Sequence, residues 1–326
     1  MKSFQMKKTI FLVFAFAVTI AACVTKTEDT PTVATPDANL NLKFKFDPAQ
    51  VRLGNLGQAV SVVSPNSAQT PTFRTMAVHY IQLAPDSLTA LTDPTTVVLY
   101  SSATTTAGGT AAIDFDQLKV SDQNKVFLSY PLKNIKKGTY KWIRVSAAYQ
   151  NYDIKFNIRG LNPAYGIPNN ALLNQTGSIA SFIGIESFIR NYTIATKSIA
   201  VNANKKQGYG GMETNLTGLP AGTPDNLVHQ TFTWDGNGGT TVVNPFATAL
   251  GVPPGSCLIV GKLNKPLVIT GDEAKDISTI LSFSCNNSFE WTNYDGNTTF
   301  DFYNDGSKPN DKVVDMGLRG LKVIVE

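Results

Sequence analysis

Only two histidines, His79 and His229, and three cysteines occur among 326 residues. Without a third nitrogen or thiolate donor to join the histidines, a zinc or copper centre would need carboxylates, and no spacing singles any out. The chain also lacks GxSxG, HExxH and P-loop motifs, and no GxGxxG follows a strand. Charged residues make up 16% of the chain, and no run of Lys or Arg is long enough to neutralise a row of phosphates. The densest basic spots are Lys133, Lys136 and Lys137, then Lys205 and Lys206, which excludes nucleic acid as a partner. No segment of a dozen residues carries an apolar stripe at helical spacing. The apolar stretch from Ile10 to Ala22 is shorter than the ~20 residues a membrane-spanning helix needs.

What is present begins with that stretch. Lys2, Lys7 and Lys8 precede it and small residues close it at Ile20-Ala21-Ala22-Cys23, the pattern of a cleaved export signal over residues 1–22. The junction resembles the lipobox of bacterial lipoproteins. That resemblance implies that the Cys23 thiol receives a diacylglycerol and becomes the first residue of the mature protein, with the lipid bilayer as its partner. Removing the three lysines of residues 1–22 from the 28 basic residues leaves 25 against 24 acidic, so the apparent basicity belongs to the signal. Residues 23–39 have no apolar periodicity and read as a flexible tether, with on the order of 50 Å of reach when extended. Glu28 and Asp29 resemble the acidic surface-export signal of Bacteroidota-type lipoproteins, which implies an outer-membrane anchor and display at the cell surface over the periplasmic face.

From Leu40 the pattern changes. Leu40, Leu42, Phe44 and Phe46 alternate with Asn41, Lys43 and Lys45, and similar runs recur to Val325, including Tyr140–Ala147, Tyr152–Ile158, Gln230–Trp234, Leu258–Leu263 and Leu267–Thr270. Asp235-Gly236, Asp295-Gly296 and Asp305-Gly306 supply hairpin turns between them. These features predict an all-β chain with antiparallel β-sandwich architecture. It is organised either as two sandwich domains or as one large sandwich with a loop-rich insertion: an N-terminal sandwich over 40–160, a loop-rich connection with some strands over 161–227, and a C-terminal sandwich part over 228–326. Ile135–Tyr140 and Val252–Cys257 share a short pattern that would mark equivalent strand entries in two domains.

Candidate sites are few. Cys257 and Cys285 lie on neighbouring strand-like segments of an exported chain, which predicts a disulfide; two buried free thiols are the other outcome. His79 shares a strand face with Ala77, Ile81 and Leu83, as a core or rim histidine would. Trp234 opens a glycine-rich loop and Tyr209 sits in QGYGG, so these two are the expected exposed aromatics. With Asp235 and Asn237 as polar neighbours, they form a candidate sugar-stacking site. The acid- and amide-rich stretch Asn293–Asp315 fails the EF-hand spacing but offers Asp305 and Asp311 as candidate calcium ligands; no other cofactor is expected. Glu290, Asp301 and Asp315 are the carboxylates a hydrolase would need to pair. Asp86-Ser87-Leu88 resembles the O-glycosylation acceptor of Bacteroidota-type envelopes, which implies modification at Ser87. The expected function is a membrane-anchored, non-enzymatic display or binding lipoprotein, for polysaccharide or an outer-membrane partner protein. A structural envelope role or a carboxylate-dependent hydrolase are the alternatives.

Overall fold

The computed structural model describes residues 37–54, 56–236 and 258–326. The first strands are β1 (Asn39–Asp47), β2 (Asn66–Gln69), β3 (Thr72–Ala84), β4 (Val97–Ser101), β5 (Thr104–Thr105), β6 (Ala112–Asp114), β7 (Lys119–Asp122) and β8 (Val126–Pro131). They lead into a 22-residue strand, β9 (Gly138–Arg159), followed by β10 (Leu172–Phe182), β11 (Glu186–Thr193), β12 (Ser198–Lys206), β13 (Gly210–Thr214) and β14 (Thr231–Trp234). The chain closes with β15 (Leu258–Ile269), β16 (Ile277–Ser284), β17 (Phe289–Thr292), β18 (Asp301–Tyr303), β19 (Lys312–Asp315) and β20 (Leu321–Val325). The all-β expectation is met, and residues Asp37–Glu326 form one compact unit.

The alternation in β1 does what it predicts: Leu40, Leu42, Phe44 and Phe46 are buried and the residues between them are not. Thirteen of the described strands share one large sheet along the order β14-β13-β10-β9-β15-β20-β16-β1-β8, with β3, β4, β7 and β18 attached off that path. Strands from 40–160, 161–227 and 228–326 all contribute to it. The 161–227 stretch, expected as a loop-rich connection with some strands, holds β10 to β13. The sheet is mixed where an antiparallel one was expected: β1 runs parallel to β16, β15 to β20 and β18 to β9. Such pairs join segments far apart in sequence and leave no hairpin signal to read.

Strand β9 is the spine. Its first half pairs with β15 and its second half with β10, while β3 lies along the other edge. Expected as two strands, it is one, because Gln150 and Asn151 are not a break. Adjacent strand residues point to opposite faces, and each amide is buried and bonded on its own side. Gln150 donates to the carbonyl of Met316, and Asn151 donates to the carbonyl of Ile194 at 2.6 Å. Leu258–Leu263 and Leu267–Thr270 likewise merge into β15, which absorbs the interruption as a register shift.

The two faces of this spine meet different partners. On one, here the back, Tyr149, Ala180, Phe182 and Tyr209 pack against Ile189, Tyr192 and Ile194 from the small sheet β12-β11-β6-β5 and its turn. On the front, Tyr152, Ile154, Phe156, Ile179 and Met212 join the main core with the segment running from β17 to Met316.

Candidate functional site

The front face does not close completely. Between β9, β10, β13 and β14 on one side and the β17–β19 segment on the other lies a cavity of about 770 Å³. Phe156, Ile179 and Met212 form its floor. Its closed end is a herringbone of rings: Phe289 and Phe300 meet edge-on at 5.1 Å, Phe300 and Phe302 at 5.1 Å, and Phe156 and Phe302 at 5.7 Å. Phe289 is fully buried, whereas Phe232 and Tyr294 at the mouth are each 50% exposed. Asn304, Asn310, Asp311 and Lys312 bring polar atoms to the lining. An apolar interior with a few polar groups is the composition of a small-molecule site.

Trp234 lines this cavity, and its placement follows from register. In the β13–β14 ladder Trp234 stands opposite Gly210. A Cβ at Gly210 would sit 2.8 Å from the indole Cζ2, so only glycine lets the ring lie on the sheet. The indole Nε1 donates to the Gly208 carbonyl at 2.9 Å, which leaves the ring half-buried and fixed. Tyr209 is corrected. One residue from Gly210, it turns to the other face and is buried, with Phe182 at 5.8 Å and Tyr192 at 5.9 Å. It is a core aromatic of the back face, and the Lys205 ammonium lies 4.7 Å from its ring. Asp235 is exposed and pairs with Lys205 at 2.6 Å. Asn237 lies outside the described residues. Of the three described residues expected at that site, Trp234 lines the cavity and Tyr209 and Asp235 do not. The Phe232 ring was missed, although the Thr231–Trp234 alternation places it on Trp234's face.

Asp305 and Asp311 do not come together as ion ligands. Asp305 accepts the N–H of Ser307 at 3.0 Å within its own turn. Asp311 accepts the N–H of Tyr294 at 3.2 Å and of Asp301 at 2.9 Å. Among the described residues no group of three His, Cys, Asp or Glu side chains is placed to hold a metal. The Asn and Asp side chains here spend their oxygens on backbone amides. Asn293, for instance, accepts from Asp295 and Gly296 at 3.1 and 2.9 Å. Burial, aided by Asp295 and Asp301 nearby, raises the Asp311 carboxyl above its ordinary range. Burial also lifts the Tyr303 hydroxyl, which donates to Asp295, to about 12.

The three carboxylates a hydrolase would pair are each tied to an arginine. Glu290 contacts Arg52 and lies 3.3 Å from Arg319, Asp315 lies 2.9 Å from Arg319, and Asp301 lies 3.1 Å from Arg159. Glu290 and Asp315 do meet, but around a shared guanidinium. His79 is largely buried and burial lowers its proton affinity; His229 Nε2 lies 3.4 Å from Asp225. Cys285 is a buried free thiol, and burial pushes it up to about 11. Its expected partner Cys257, the Val252–Cys257 segment and Cys23 lie outside the described residues. Ser87 sits in the turn after β3, where Asp86 accepts the N–H of exposed Leu88 at 2.9 Å. No helix among the described residues is long and apolar enough to cross a membrane. No protein-family model, curated protein or solved structure matches the chain.

Proposed function

We propose that this chain is a non-enzymatic binding lipoprotein, anchored to the outer membrane through acylated Cys23 and displayed at the cell surface, that holds a small ligand with an apolar body. The cavity carries the ligand half of this reading. Its volume of about 770 Å³ falls within the roughly 300–1,000 Å³ of small-molecule sites. Phenylalanine rings dominate its closed end, which favours a hydrocarbon body over the polysaccharide expected from sequence. The anchor half is supported by the Ile20-Ala21-Ala22-Cys23 junction and its lysine-flanked apolar preface. The test is titration of the full chain carrying Cys23→Ala with the apolar dye N-phenyl-1-naphthylamine. One saturable site per chain is expected, weakened at least about tenfold by Trp234→Ala, a loss of ~1.4 kcal/mol. Absence of saturable binding, or binding indifferent to Trp234, contradicts the ligand reading. Release of Cys23→Ala from the envelope fraction tests the anchor separately.

A further inference from the structure

We infer that the cavity's ligand carries a hydrogen-bond donor at its polar end, an alcohol or an ammonium and not a carboxylate, and that Asp311 receives it. This rests on the binding reading above and specifies the ligand class. Asp311 lines the cavity and is 6% exposed. Its carboxylate is fixed from two sides of the aromatic wall, by the backbone N–H of Tyr294 and that of Asp301, the residue between Phe300 and Phe302. An ionised carboxylate offers about four acceptor positions. Two are occupied by these bonds, so each oxygen retains capacity for another donor.

Several other polar groups at the lining are already committed or exposed. Asn310 Oδ1 already accepts the N–H of Tyr303 at 2.6 Å, and Thr214 Oγ1 accepts that of Gln230 at 3.3 Å. The Tyr303 hydroxyl is committed to Asp295. Lys312 is exposed, and Lys308 lies over the Tyr303 ring at 5.6 Å. Exposed ammonium groups act through solvent screened over roughly 8 Å, whereas a buried carboxylate is screened much less. Asp311 therefore dominates the field felt by a bound head group. The upward shift of its carboxyl indicates a charge that its surroundings leave under-compensated. A ligand hydroxyl or ammonium would relieve that deficit, and Trp234, Phe232 and Tyr294 add ring faces that attract a cation. A ligand carboxylate would meet a buried like charge.

The test compares dodecylamine, dodecanol and dodecanoate, which share one chain and differ in head group. Each is titrated calorimetrically, below its solubility limit or critical micelle concentration, into the full chain carrying Cys23→Ala. The amine and the alcohol are expected to bind at least about tenfold more tightly than the acid, and Asp311→Asn should shrink that gap to within about threefold. Dodecanoate binding as tightly as the other two overturns the inference while leaving the cavity reading standing. Failure of all three to bind removes the reading beneath it. The unsubstituted series decides the question even where Asp311→Asn fails to fold.

Discussion

One sheet, β14-β13-β10-β9, presents two faces that are finished differently. The back face is filled by aromatics and clamped by polar groups. Phe182 sits 5.0 Å from Phe115 and 5.2 Å from both Tyr149 and Tyr192. The Glu213 carboxylate takes the N–H groups of Ala195, Thr196 and Lys197 at 2.8 to 2.9 Å, pinning the β11–β12 turn to the sheet. Beside Tyr149 and Ile194 it keeps a cleft of about 330 Å³, against about 770 Å³ in front. Both faces are rich in aromatic rings. Closure depends on how far the covering layer spreads over the sheet: the β17–β19 segment joins β9 at β18 and leaves the cavity between itself and β10, β13 and β14. Unfilled apolar volume costs stability, and the front cavity is larger than the back cleft.

The comparison breaks first under truncation. Phe182→Ala on the back should cost about 3–5 kcal/mol, whereas Phe232→Ala at the cavity mouth should cost no more than ~0.5 kcal/mol yet weaken dye binding. Urea unfolding of both variants measures the contrast, and equal losses would erase the distinction between the faces.

Removing the clamp comes next. Glu213→Ala should cost about 1–3 kcal/mol by taking the shared acceptor from three part-buried amide donors. Although burial opposes ionisation, the Thr196 hydroxyl and three backbone N–H groups hold this carboxyl down at about 2. A depressed acid contributes stability above its unfolded value and loses it as pH falls. The stability gap between wild type and Glu213→Gln should therefore be full near pH 6, shrink below the ordinary carboxyl range and vanish near about 2. A gap independent of pH would contradict the clamp.

Two glycines sharpen the contrast at smaller amplitude. A Cβ at Gly211 would meet the Tyr192 hydroxyl at 2.6 Å, Ile194 Cδ1 at 2.9 Å and the Phe232 carbonyl at 3.0 Å, so Gly211→Ala should show the ~1–3 kcal/mol of overpacking. A Cβ at Gly177 would meet chiefly the flexible end of Met212, at 2.1 Å from Cε. That methionine can move into the cavity, so Gly177→Ala should cost less than ~1 kcal/mol and weaken dye binding by occupying part of the site. The smallest effect concerns Cys285, in the main core away from the mouth. With its thiol buried and pushed up to about 11, it should resist iodoacetamide in the native protein and react on denaturation without reductant. Rapid native labelling would place an opening in the front-face core where none is described.

Much of this was legible in residues whose surroundings are local. The alternation of β1 follows from its period; Gly296 and Gly306 take positive φ as turn glycines do, but the strands around them lie in different sheets, so the expected hairpins are not formed there. Trp234 was found from its loop-flanking position. The unread remainder depended on pairing across distance. Tyr209 and Trp234 look equivalent in sequence, and only the Gly210–Trp234 register sends them to opposite faces. Gln150 and Asn151 look like a loop because their acceptors, on Met316 and Ile194, lie 166 and 43 residues away. Phe232 and Tyr294 face the same cavity from strand and loop segments with no sequence signal linking them, and Asp311, read as an ion ligand, is held by backbone amides at its edge.

The most direct measurement is quenching of tryptophan fluorescence by a long-chain alcohol brominated at the chain end, titrated into the full chain carrying Cys23→Ala. Trp234 lines the cavity, while Trp142 lies on β9 outside the lining. A bound chain should quench saturably, Trp234→Phe should reduce the quenching and leave the part due to Trp291, which packs behind the Phe300 ring at 5.5 Å, and Trp142→Phe should leave it intact. Absence of saturable quenching, or quenching unchanged in Trp234→Phe, would contradict a ligand in this cavity.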